Sequence, residues 1–139
     1  MQLGPSHEGT FNGSPVIEAE LLLQELRSDR NVVVVDVRNH GEFRDGHIEG
    51  ARSIPIHQLV ARACEITTDR STLVVVVSNG GARSKIAAAS LRLAGYAEIA
   101  TLAGGMRRWR ELGFPVKRTS GEMRAPMPLP APPGTRRGR

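Results

Sequence analysis

A chain of 139 residues with a 40% apolar fraction is long enough for one ordinary domain and too short for two. The formal charge of +5 resides in the tail, where Lys117 to Arg139 carry six basic residues and one acid; residues 1–116 are therefore neutral overall, which argues against nucleic acid as a partner despite a pI near 10.6. One cysteine, Cys64, excludes an internal disulfide and fits a reducing cytosol, no apolar stretch approaches the roughly 20 residues of a membrane span, and the N-terminus lacks the apolar region of a signal peptide.

In chain order, residues 1–14 are Gly, Ser and polar side chains and read as a flexible N-terminus. Glu18 to Arg27 places apolar side chains at 19, 22, 23 and 26, a helical stripe. The run VVVVDV after Asn31 has no polar alternation, which suits a strand covered on both faces in a parallel sheet. Asn39 is placed to cap a short helix that Gly46 stops, and Ser53-Ile54-Pro55 reads as a brief extended segment.

His57 to Ile66 fits a second helix, with Leu59, Val60, Ala63 and Cys64 on one apolar face. LVVVV at 73–77 is a second buried strand, and Ser84 to Ala94 a helix with Ile86, Ala87, Ala89, Leu91 and Leu93, ended by Gly95. Ile99 to Leu102 reads as a short strand, and Gly104 to Leu112 as a last helix carrying Met106, Trp109 and Arg110. Five prolines between Pro126 and Pro133 deny the tail both helix and ladder, so residues 119–139 are expected to be disordered and 15–118 to form the domain. Strands and helices alternating at this spacing predict an α/β domain on a parallel sheet.

In such a sheet ligands bind beyond the carboxyl ends of the strands, where VVVVSNGGARS ends the second valine strand. Gly80 and Gly81 allow a tight bend that turns amides inward, the next helix adds its positive end, and Arg83 supplies a guanidinium able to fork onto an oxyanion. The candidate anion site is thus Ser78, Asn79, Gly80, Gly81, Ala82, Arg83 and Ser84; the alternative is a βα turn whose glycines only tighten the bend. Neither GxxxxGK[ST] nor GxGxxG is present, so the loop is not a nucleotide cradle.

DVRNHGEFRDGHIEGARSIP (36–55), VVVVSNGGARS (74–84) and LAGGMRRWRELGFPV (102–116), in this order, resemble the rhodanese family of sulfurtransferases from about Pro15 to Val116. The resemblance implies a single domain with a central parallel sheet of about five strands, helices on both faces and no cofactor. It also implies that the loop opens on a cysteine that carries sulfane sulfur as a persulfide. Here that position is Ser78, and a hydroxyl neither ionises like a thiol nor holds a persulfide.

Three readings follow. The domain binds a small oxyanion, a sulfane-sulfur donor or acceptor, or a protein partner without turnover. Alternatively, serine replaces the catalytic cysteine of an active sulfurtransferase, or Ser78 performs ester or phosphoryl hydrolysis, which would need a base such as His40, His47 or His57 folded against it. Asp36 is expected to pair with an arginine and help orient the loop, or to be a strand-end pair with no such role; Arg38 is its supporting neighbour. His47 in GHIEGA is expected to fix its turn rather than bind metal. Cys64 is expected in the core rather than as a substitute sulfur carrier. Trp109 should anchor the last helix, and Arg107, Arg108 and Arg110 form a solvated face or a partner patch.

Overall fold

Valine is branched at Cβ and packs well on a pleated surface, and two uninterrupted valine runs form the centre of the sheet. The protein is described by a computed structural model, which places residues 9–11, 14–67, 69 and 71–119. Among the described residues, six strands run in the order β1 (Gly9–Phe11), β2 (Ser14–Ile17), β6 (Ile99–Leu102), β5 (Leu73–Val77), β3 (Val32–Asp36) and β4 (Arg52–Ser53). Every pairing from β2 to β4 is parallel, and β1, which falls in the stretch read from the sequence as a flexible N-terminus, adds antiparallel to β2 because its residues 9–11 pair with 14–16. The expected tail from residue 120 onward lies outside the described residues.

β5 shows why the valines are continuous. Val74 and Val76 join one core with Val35, Ala87, Ala88, Leu91 and Ile99, while Leu73, Val75 and Val77 join a second with Ile17, Leu22, Leu102, Met106 and Trp109. Helix α3 (Ala82–Leu93) covers the first face, and α1 (Ala19–Leu26) and α4 (Gly105–Glu111) the second. Helix α2 (His40–Asp45) starts as expected: Asn39 Oδ1 accepts from the Glu42 amide at 2.8 Å while Glu42 Oε1 accepts from the Asn39 amide at 3.0 Å. Trp109 is buried, donates its indole N–H to the Pro115 carbonyl at 2.8 Å and meets Phe114 edge-on.

Two expectations fail. Residues 57–66 do not form one α-helix; they make two 3-10 turns, Ile56–Gln58 and Ala63–Glu65, closed by bonds such as Leu59 N–H to Ile56 O and Ile66 N–H to Ala63 O. This tighter winding turns Leu59, Ala63 and Ile66 inward and leaves Val60 and Cys64 exposed, so Cys64 is not a core residue. On α3 the buried stripe is Ser84, Ala87, Ala88 and Leu91, a 3, 4, 7 spacing. Ile86 and Leu93 fall off that stripe and are 64% and 92% exposed.

Candidate functional site

Because β2, β6, β5, β3 and β4 are parallel, their carboxyl ends share one edge of the sheet, and the loop 78–83 leaves β5 at its centre. Gly81 opens α3 with φ of 110°, a left-handed turn that a side chain rarely adopts. The turn brings the Gly81 and Ser84 amides to the buried Ser78 Oγ, at 3.0 and 3.3 Å. Ser78 donates its own proton to Ser84 Oγ, which in turn donates to the Gly81 carbonyl. The loop therefore wraps amides around the side-chain atom at position 78, as a site built to stabilise negative charge there would. The amides of Asn79, Gly80, Ala82 and Arg83 find no acceptor among the described residues.

The opposite side of the loop is held by α4. Met106 N–H donates to the Ser78 carbonyl at 2.9 Å and Arg107 N–H to the Asn79 carbonyl at 3.0 Å. This close seat requires Gly105: its φ is 59°, and a Cβ there would lie 2.7 Å from the Asn79 carbonyl carbon and closer still to both carbonyl oxygens. A cavity of about 220 Å³ opens beside Gly80 and Gly81, walled by Val16, Leu102, Ala103 and Gly104 and flanked by Lys85.

Arg83 does not close the cradle. Its guanidinium forks onto Glu42, Nη1 to Oε1 at 2.9 Å and Nη2 to Oε2 at 3.1 Å. This hydrogen-bonded pairing holds the Glu42 carboxyl below its usual range and raises the Arg83 guanidinium. Ser84 is likewise committed, its hydroxyl spent inside the loop. Arg107 lies over the loop: a Cβ placed on Gly80 would lie 3.3 and 3.4 Å from its two terminal nitrogens. Sequence reasoning missed Glu42, 41 residues from Arg83, and read Arg107 as part of a solvated face or a partner patch.

Asp36 pairs with Arg38, Nε to Oδ1 at 2.9 Å and Nη2 to Oδ2 at 2.8 Å, with both side chains 1% exposed. Arg38 also donates to the Gly46 carbonyl at 2.7 Å and so fastens the end of α2, the helix that presents Glu42 to Arg83. His47 holds its turn: Nδ1 bonds the Phe43 carbonyl at 2.7 Å, the ring stacks on Phe43, and its backbone bridges to Lys117. His40 bonds Ser53 and His57 bonds Gln58, so among the described residues neither a histidine nor a carboxylate bonds Ser78 Oγ. No group of three His, Cys, Asp or Glu that could hold a metal stands among the described residues, and no helix there is long and apolar enough to cross a membrane.

The sequence pattern of the rhodanese-like domain matches residues 18–112. A sulfurtransferase of Allochromatium vinosum is 37% identical over 100 residues, covering 72% of this chain and 92% of that protein. An HTH-type transcriptional regulator of Mycobacterium tuberculosis is 41% identical over 109 residues, covering 75% of this chain and 46% of that one. Among solved structures, thiosulfate sulfurtransferase from Pseudomonas aeruginosa matches with a TM-score of 0.72 at 30% identity, over 77% of this chain and 21% of that chain. A rhodanese-like domain from Anabaena matches with a TM-score of 0.69 at 26% identity, over 91% and 96%. With its parallel sheet, its loop at the carboxyl edge and a pattern match over more than half its length, the chain belongs to the rhodanese-like domain family.

Proposed function

We propose that this domain binds a small oxyanion, or the sulfane-sulfur end of a partner, at the loop 78–83 and does not transfer sulfur with Ser78 in place. The observation that carries the reading is the state of Ser78: its Oγ accepts from two loop amides and its proton goes to Ser84, with no base bonded to it among the described residues. Such a hydroxyl is neutral and held, and oxygen cannot carry a persulfide. The same bonding disfavours hydrolysis at Ser78. The likeness to sulfurtransferases supports a role in sulfur handling, and the single cysteine supports a cytosolic setting.

A second reading, an active sulfurtransferase whose cysteine is replaced here by Ser78, draws support from the amides gathered at that position. Thiosulfate:cyanide turnover tests both. The expected result is no turnover by the chain as it stands; turnover equal to that of cysteine-bearing relatives would refute the proposal. In Ser78→Cys a thiolate would take the outer sulfur of thiosulfate, breaking its S–S bond and releasing sulfite, and cyanide would remove that sulfur as thiocyanate. Activity in this variant supports the second reading, whereas its absence means that more than sulfur is missing.

A further inference from the structure

Three arginines lie close to the loop, and they differ in how they are paired. Arg83, the residue the sequence places at the mouth of the cradle, is neutralised by a forked ion pair with Glu42. Arg38, deeper in, is neutralised by Asp36. Arg107 comes from a different helix, and its guanidinium makes no hydrogen bond or ion pair among the described residues. It lies over Gly80, within about a hydrogen-bond length of the space a Cβ would fill. Its own amide is bonded to the Asn79 carbonyl, so the base of the side chain is fixed to the loop it covers.

The cavity of about 220 Å³ beside Gly80 and Gly81 is large enough for a four-oxygen anion and is lined by Lys85 but not by Arg107, which meets the loop at Gly80. We infer that Arg107, rather than Arg83, clasps the oxyanion bound at this loop. The inference rests on the binding role proposed above and names the residue that sets affinity. It also bears on Gly80: a Cβ there would crowd the guanidinium and shift it by a few tenths of an ångström.

The test is calorimetric titration of thiosulfate, and separately of sulfate, into the full chain and three variants. Arg107→Gln should weaken both anions about tenfold, the loss expected of a charge-assisted contact, with the urea midpoint unchanged because the side chain is exposed. Arg83→Gln should leave affinity within about twofold. Gly80→Ala keeps every charge and asks the guanidinium to shift by only a few tenths of an ångström, so it should weaken binding less than Arg107→Gln does. Unchanged affinity in Arg107→Gln, or a larger loss in Arg83→Gln, overturns this inference while leaving the binding role intact. Failure of the unaltered chain to bind either anion overturns both.

Discussion

Replacing Gly105 with alanine tests how the loop is held. Gly105 has a φ of 59°, and the left-handed region costs an alanine about 1–2 kcal/mol. The added methyl meets the backbone of Ser78 and Asn79 rather than a flexible side chain, so the loop itself must retreat. That movement stretches two bonds, Met106 N–H to Ser78 O and Arg107 N–H to Asn79 O, now 2.9 and 3.0 Å. Each contributes about 0.5–1.5 kcal/mol. The total is about 2–5 kcal/mol, a large share of the roughly 5–15 kcal/mol that stabilises a domain. Gly113→Ala is the control: its φ is 74° but nothing lies within 4 Å of its added Cβ, so only the backbone term of about 1–2 kcal/mol applies. Urea unfolding of both variants measures the difference, and thiosulfate titration should show weaker binding for Gly105→Ala alone. Equal destabilisation of the two variants would refute the reasoning.

Asp36→Ala should cost about 3–5 kcal/mol in urea unfolding, because it leaves the guanidinium of Arg38 buried without its carboxylate; a loss below 1 kcal/mol contradicts the anchoring role. Ser78→Ala removes the acceptor of two buried amides and should cost about 1–3 kcal/mol, checked the same way, with no change showing those amides satisfied elsewhere. The Glu42 carboxyl is held below its ordinary value of 4.5 chiefly by its hydrogen bonds from Arg83. Its contribution is therefore fully present above pH 4.5 and lost as pH falls through the lowered folded value. Both side chains are about a third exposed, so Glu42→Gln should cost about 0.5 kcal/mol at pH 7, a cost that shrinks as pH falls below 4.5. A difference in unfolding midpoint that stays constant or grows as the pH is lowered from 7 would contradict this.

Much of the fold was readable because its signals are local. The valines of β5 are buried on both faces, and Asn39 and Glu42 form a capping box within four residues. The loop was found for the same reason: a strand ends, two glycines turn, and a helix begins. The failures are tertiary. The apolar spacing of 57–66 fits an α-helix, yet the Tyr96 hydroxyl, about thirty residues away, sits within hydrogen-bond distance of the Ala63 and Thr67 carbonyls and offers its one proton to this pair, tying that stretch into its observed winding. Arg83 points to Glu42 because β3 and β5 are neighbours, a fact of topology rather than of spacing. Arg107 reaches Gly80 only because Gly105 lets α4 sit against the loop carbonyls.

The central claim is that the loop still binds an oxyanion although position 78 cannot hold sulfur. Backbone amide chemical shifts recorded while thiosulfate is titrated into the full chain test it most directly. Saturable shifts confined to residues 78–84 and the start of α4, with no thiosulfate consumed when cyanide is added, are the predicted result. Shifts elsewhere, no saturation, or steady release of thiocyanate would contradict it.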